Sequence, residues 1–102
     1  MPKIVFDLED KKTTQFYKRL EDNLALNIQW PAPYLYKFIV PSSEEKVAAI
    51  IAVFKNQSAK ISSRTSSKGA FTSVSVSLVI KNPEAVIANY RAVATIEGVI
   101  SL

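Results

Sequence analysis

Cysteine and histidine are both missing from this sequence of 102 residues, and glycine occurs only twice. The absence of cysteine excludes disulfides, thiolate nucleophiles and thiolate-bound zinc, and the absence of histidine removes the usual imidazole base and metal ligand. The remaining carboxylates form no convincing acid–base or metal-binding pair. We therefore expect a protein that is not an enzyme and that holds neither a metal nor a cofactor.

Long apolar runs are missing as well. No stretch approaches the roughly 20 apolar residues of a membrane span, and the amino terminus becomes charged too early for a secretory signal. We therefore expect a cytoplasmic protein that does not contact a membrane. With 48% hydrophobic and 22% charged residues, the chain is expected to bury one ordinary core.

Acidic residues are scarce in the second part of the chain. Five acidic and five basic residues cancel over residues 1–29, so the net charge of +4 arises entirely beyond them. The acids that remain there are Glu44, Glu45, Glu84 and Glu97. Three of these lie where helices are expected to begin, which leaves the expected strands with basic groups only. Such a surface suits an anionic partner, and it also serves solubility alone.

Residues 1–29 are expected to form an amino-terminal extension. Apolar residues recur there at helical spacing after a cap at Thr13 or Thr14, and they are Phe16, Leu20 and Leu24. This spacing predicts one short helix. Residues 3–8 are equally compatible with a short strand or a disordered arm. The prolines of Trp30-Pro31-Ala32-Pro33 then mark a boundary, and we expect the compact domain to span residues 30–102.

A dense apolar and β-branched run over residues 34–40 predicts a central strand. The single charged residue in this run sets which side chains share a face. The residues expected to face the core are Tyr34, Tyr36, Phe38 and Val40. The other face is expected to carry Leu35, Lys37 and Ile39.

A helix is expected next, because Pro41 ends the strand and Ser42 with Glu45 matches a capping box. Apolar residues then follow at positions i, i+3, i+4 and i+7 of a helix. The residues of this stripe, all expected to face the core, are Val47, Ile50, Ile51 and Phe54.

A hairpin is expected over the next segment. Residues 60–66 carry one large apolar side chain, which predicts an edge strand whose lysine and arginine discourage pairing with a second molecule. A turn follows, with Gly69 at positive φ. Residues 71–81 then alternate between apolar and polar side chains. Their core face is expected to hold Val74, Val76, Leu78 and Ile80.

The last segment predicts a helix and a short strand. Asn82 and Pro83 fit the cap and the first position of a helix. Its buried stripe is expected to be Val86, Ile87, Tyr90, Val93 and Ala94. Residues 99–102 then predict the final strand. The whole order predicts an α+β fold, the ferredoxin-like βαββαβ plait, in which a four-stranded antiparallel sheet carries two helices on one face.

Three runs of the sequence resemble the YbeD-like proteins, a small bacterial family of unknown function. The runs are residues 30–37, 64–76 and 99–102, and their most specific part is Ser-Ser-Lys-Gly followed by an aromatic residue and Ser-Val. The resemblance covers residues 30–102. It implies a ferredoxin-like fold similar to that of ACT regulatory domains, which bind small metabolites between paired domains. It implies no enzyme activity.

The open face of the expected sheet is the strongest candidate for a site, because it gathers hydroxyl and cationic side chains without a carboxylate. The turn beside it offers backbone amides to a phosphate, although hairpin geometry alone also accounts for its glycine. A half-exposed antiparallel sheet also shows polar side chains to water without any ligand. The residues predicted to bind a ligand are Lys37, Arg64, Ser66, Ser67, Lys68, Gly69, Ser73 and Ser75.

We therefore expect a non-catalytic binding or regulatory module that acts through its open sheet face or its sheet edges. The expected partners are a small anionic metabolite or another protein, and the module is expected to form a homodimer. One alternative is a weak RNA-binding domain of the same architecture, although the aromatic platform of RNA-recognition motifs is missing. Another is a protein partner that docks on residues 3–8 by strand addition.

Overall fold

The helices and strands follow one another in the expected order. The computed structural model describes residues 11–102, so the expectations for residues 3–8 lie outside the described residues. The elements in chain order are α1 (Lys11–Asn27), β1 (Ala32–Pro41), α2 (Glu44–Val53), β2 (Lys60–Thr65), β3 (Phe71–Ile80), α3 (Pro83–Ala94) and β4 (Ile100–Ser101). Within this described part, no helix is both long and apolar enough to cross a bilayer.

The strands form one antiparallel sheet of four strands in the order β2-β3-β1-β4. β1 and β3 pair along ten residues, from Ala32 opposite Ile80 to Pro41 opposite Phe71. β2 lies at one edge, as its sparse apolar content predicts, and the two-residue β4 lies at the other. The fold is therefore α+β with a four-stranded antiparallel sheet, and the strand order is consistent with the predicted plait.

The core lies between one face of the sheet and helices α2 and α3. The side chains of Tyr36, Phe38 and Val40 are fully buried, which confirms the predicted orientation of β1. Tyr36 also donates a hydrogen bond of 2.9 Å from its hydroxyl to the Val86 carbonyl of α3. Its ring packs edge-on against Tyr90 at 4.8 Å between centroids. Aromatic contacts therefore join the central strand to α3.

The helix caps agree with the sequence at α3 and differ from it at α2. Asn82 caps α3 by accepting a 2.8 Å hydrogen bond from the Ala85 amide, as predicted. At α2 the cap is Ser43, whose hydroxyl accepts from the Lys46 amide, so the prediction of Ser42 is wrong by one residue. The Ser42 hydroxyl instead lies 2.9 Å from the Thr72 hydroxyl of β3, which holds it away from the helix.

Helix α1 is longer than the short helix predicted for residues 1–29. Its described part extends over 17 residues from Lys11, so neither Thr13 nor Thr14 is its cap. Its most buried residue is Tyr17, which the apolar spacing did not identify and which is 1% exposed. The Tyr17 ring stacks on Tyr90 at 6.4 Å between centroids. Part of the predicted extension therefore packs directly on the core.

Three residues of the predicted buried stripes are less covered than expected. Ile51 of α2 is 42% exposed, because the strand that it faces offers only the small side chains of Ser63 and Thr65 at that point. Val47 of α2 and Ala94 at the carboxyl end of α3 are only half-buried. The remaining residues of both stripes contribute to the core cluster.

Candidate functional site

The strand register brings the predicted cationic and hydroxyl residues together on the uncovered face of the sheet. Lys37 of β1 lies opposite Ser75 of β3, which in turn lies opposite Ser62 of β2. In the neighbouring row, Arg64 lies opposite Ser73. Directly opposite residues in an antiparallel pair have Cβ atoms about 5 Å apart, so these groups form one continuous surface. We call this surface the open face.

Large apolar side chains share the open face with the polar ones. A third row places Lys60 opposite Ser77 and Ser77 opposite Leu35. Leu35 is 55% exposed, Phe71 is 49% exposed and Val79 is 68% exposed. Apolar side chains of this size, clustered on one face, are typical of a surface that contacts another molecule.

The open face has a net positive charge. Its cations are Lys37, Lys60 and Arg64, and none of them forms an ion pair within residues 11–102. The four strands contain no aspartate or glutamate. Helices α2 and α3 lie on the other side of the sheet, and α1 packs on α3 there. The described part of the chain therefore leaves these cations uncovered and without a counter-charge.

The hairpin between β2 and β3 has the geometry expected of its sequence. The Gly69 amide donates a 2.8 Å hydrogen bond to the Ser66 carbonyl, and Gly69 has a φ of 75°. The Ser66 hydroxyl accepts from the Phe71 amide at 3.2 Å. No heavy atom lies within 4 Å of a Cβ built on Gly69. Backbone conformation, rather than a lack of space, therefore accounts for this glycine.

The predicted site residues divide between two shallow depressions and the surface around them. A depression of about 310 Å³ beside the hairpin is lined by Arg64, Ser66, Ser67 and Ser73, among others. Another of about 210 Å³ includes Ser75, together with Lys60, Ser62 and Ser77. Three predicted residues line neither depression: Lys37, Lys68 and Gly69. The open face is therefore broad and shallow, without a single deep pocket among these residues.

A larger cleft lies on the helical side of the sheet, between α2 and β2. Its volume is about 470 Å³, and Val47, Ala48 and Ile51 form its apolar side. Thr65 and Thr72 contribute hydroxyl groups that lie 3.4 Å apart. This cleft was not predicted from the sequence. The sequence feature that could have indicated it is the run of small polar residues in β2, because their side chains are too short to fill the space below α2.

The buried tyrosines of the core have shifted pKa values, and outside the core the hydrogen bond and charge of Asp22 raise the pKa of Lys18 on α1. Burial raises the pKa of Tyr36 and Tyr90 well above the ordinary tyrosine value. Burial also raises the pKa of Tyr17, although the nearby Arg91 charge partly opposes this effect. Among residues 11–102 there is no cluster of three or more acidic residues that could hold a metal. The arrangement of the open face is therefore suited to binding by charge and apolar contact.

Comparison with protein families assigns the chain to a family whose function is unknown. Residues 26–102 match the family described as a protein of unknown function, DUF493. The chain belongs to the DUF493 family. The YbeD-like proteins are members of DUF493, so the resemblance read from the sequence is confirmed. The matched region contains the whole sheet with α2 and α3. No curated protein and no solved structure gives a significant match to the chain.

Proposed function

We propose that this DUF493 protein is a non-catalytic binding module that recognises an acidic partner protein through its open face. We also assign it to the ferredoxin-like plait. The strand order β2-β3-β1-β4, with α2 and α3 packed on the same side of the sheet, supports this assignment. The plait leaves one sheet face available for recognition, as required by the proposed function.

The observation that carries the proposal is the coincidence of uncompensated cations and exposed apolar side chains on one face. Lys37, Lys60 and Arg64 favour a negatively charged partner, because they lie on strands without a carboxylate. Leu35 and Phe71 expose about half of their surface beside these cations. Burying them requires a partner larger than a single small anion, which favours a protein surface.

An acidic protein fits this surface better than a second copy stacked directly on it. Two open faces in contact would oppose identical sets of cations, and like charges across an interface are unfavourable. The homodimer expected from the sequence would therefore require an anion between the two faces. An acidic partner neutralises the same charges without a third component.

Charge reversal at matched positions tests this proposal. The double variant Lys37→Glu with Arg64→Glu changes the open face, and the double variant Arg19→Glu with Lys55→Glu makes the same change at exposed positions of the helical side. Binding of a fluorescent oligoglutamate peptide is measured by anisotropy for both variants and for the native chain. We expect the open-face variant to lose at least tenfold in affinity and the control variant to change less than threefold.

Equal losses in the two variants would show that only net charge matters, and this result would overturn the proposal. Circular dichroism checks that both variants retain the native helix and strand content. The altered residues are all exposed, so neither change removes a core contact. A loss confined to the open-face variant therefore reports on binding.

Single-stranded RNA is the second candidate partner, favoured by one exposed aromatic ring beside the cations. Phe71 lies on a central strand and is 49% exposed on the open face, where a base could stack on it. RNA binding of this kind must weaken steeply between 50 and 200 mM salt, as phosphate contacts release counterions. If RNA binds more tightly than oligoglutamate at 200 mM salt, and Phe71→Ala removes that binding, the RNA function replaces the proposed one.

A further inference from the structure

The outer edge of β2 carries backbone groups that no strand of the described chain pairs with. β2 has β3 on one side only. At the turn that joins β2 to β3, the Ser66 amide donates a hydrogen bond to the Phe71 carbonyl, so Ser66 is one of the residues that bond to β3. Because antiparallel ladders alternate, every second residue bonds to β3 and the residues between them point outward. In this register, Ile61, Ser63 and Thr65 present their amides and carbonyls to the outer edge.

Two of these three residues also have side chains that face the α2–β2 cleft. Ser63 and Thr65 line that cleft, and Ile51 on its opposite wall is 42% exposed. A strand added to β2 would therefore place every second side chain beside the cleft of about 470 Å³. Val47 and Ala48 make this wall apolar. The cleft therefore favours small or medium apolar side chains at alternate positions of the added strand.

The opposite face of the added strand would meet cations. Lys60 and Arg64 lie on the open face of β2, two residues before and two residues after Ser62. These cations disfavour pairing with a strand that carries cations of its own, such as β2 of a second copy, but carboxylates directly opposite them would form favourable cross-strand pairs. Glu44 lines the cleft on the other side of the sheet, so an acidic side chain entering the cleft there would be repelled. The charges therefore select which face of the added strand is acidic.

We propose that the acidic partner binds as an extended segment that adds a strand to β2, with carboxylates beside Lys60 and Arg64 and the intervening apolar side chains in the α2–β2 cleft. This inference rests on the proposed function, because it specifies how the acidic partner reaches the open face. It extends that function to a second surface, the cleft on the helical side. The recognised sequence is an alternation of acidic and apolar residues.

Proline at position 63 tests the backbone pairing. The Ser63 amide points outward and takes no part in the β2–β3 ladder, so Ser63→Pro removes one edge donor and leaves the ladder in place. The probe is a nine-residue peptide in which valine alternates with aspartate, and its affinity for the full chain is measured by calorimetry. We expect Ser63→Pro to weaken binding at least tenfold while the thermal midpoint falls by no more than a few degrees.

A second pair of variants tests the cleft independently of proline. Ile51→Gln replaces the exposed apolar side chain of the cleft wall, and Ala52→Gln makes a comparable change on α2 outside the cleft. We expect about tenfold weaker binding for Ile51→Gln and less than twofold for Ala52→Gln. A control peptide with serine in place of valine keeps the charge, and we expect it to bind the native chain at least tenfold more weakly than the probe.

The possible results separate the two proposals. If Ser63→Pro and Ile51→Gln bind the probe normally while Lys37→Glu with Arg64→Glu does not, strand addition is overturned and recognition by the open face stands. If the native chain does not bind the probe at millimolar concentration, strand addition is overturned as well. If the native chain is a dimer that Ser63→Pro converts to a monomer, the edge belongs to a second copy and the inference is wrong.

Discussion

The Arg91 guanidinium carbon lies 4.6 Å from the centre of the Tyr17 ring, and this contact joins α1 to α3. The same ring stacks on Tyr90, which packs against Tyr34 and Tyr36 of the central strand. A residue of the amino-terminal extension thus continues the aromatic cluster of the core. Helix α1 packs with the core on the side of the sheet away from the open face, so none of the helices in residues 11–102 covers that face.

Truncation of Tyr17 is expected to destabilise the whole protein. The side chain is 1% exposed, and removing a buried aromatic ring costs about 3 to 5 kcal/mol. Arg91→Ala removes the cation–π contact, which is expected to cost about 1 kcal/mol. Urea unfolding of both single variants and the double variant measures these values and their coupling. If Tyr17→Ala costs less than about 1 kcal/mol, α1 does not contribute to the core.

The tyrosines are expected to make the protein sensitive to alkali. The chain contains four tyrosines, and burial raises the pKa of each above the ordinary value near 10. Above that pH the unfolded state loses these protons first, so the unfolding free energy is unaffected below about pH 10 and falls as the pH rises further. Absorbance at 295 nm should therefore show tyrosinate only as circular dichroism shows unfolding. Tyrosinate formation near pH 10 in a chain that remains folded would contradict the burial of these hydroxyls.

The two glycines are expected to differ in their tolerance of alanine. Both have positive φ, of 75° for Gly69 and 82° for Gly98, so alanine at either position costs about 1 to 2 kcal/mol in backbone strain. At Gly98 the added Cβ would also lie 3.2 Å from the Pro41 Cδ atom, whereas Gly69 is open. Gly98→Ala should therefore lower the thermal midpoint more than Gly69→Ala. Equal shifts would show that the Pro41 contact relaxes freely.

A partly buried amide pair is expected to tie the turn after α2 to α3. Gln57 donates to the Asn89 Oδ1 atom at 2.9 Å, and Asn89 donates back to the Gln57 Oε1 atom at 3.1 Å. Asn89 also lies 3.3 Å from the Tyr36 hydroxyl. Asn89 is 6% exposed, and Asn89→Ala removes its hydrogen bonds to Gln57 and Tyr36, which should cost about 2 kcal/mol. An unfolding free energy within 0.5 kcal/mol of the native value would show that water replaces the amide.

Local patterns in the sequence predicted most of the sheet. They predicted the wrong residue where two neighbouring residues fit the same role and a tertiary contact determines which of them takes it. The alternation around Lys37 fixed the faces of β1, and Asn82 with Pro83 fixed the start of α3. At α2, adjacent serines followed by adjacent glutamates allow two caps. The contact between Ser42 and Thr72 selects Ser43 as the cap, and this contact spans 30 residues of sequence.

The candidate site was predicted on one side of the sheet and missed on the other. The alternation of side chains along the strands was enough to place Arg64, Ser73 and Ser75 on the open face. This prediction requires only the two-residue period of a strand. The existence of the α2–β2 cleft depends on the distance between α2 and β2, which local sequence patterns do not determine. Helical periodicity assigns Ile51 to the core, and only the structure shows that Ser63 is too small to cover it.

We propose that the open face, rather than the helical surface, receives an acidic partner. The most direct test is a two-dimensional ¹H–¹⁵N NMR titration of the full chain with oligoglutamate. Binding at the open face should shift amide signals that cluster on the β-strands, around Lys37, Arg64 and Ser75. Shifts that cluster on the exposed surfaces of α1 and α3, or that stay uniformly small up to millimolar peptide, would contradict it.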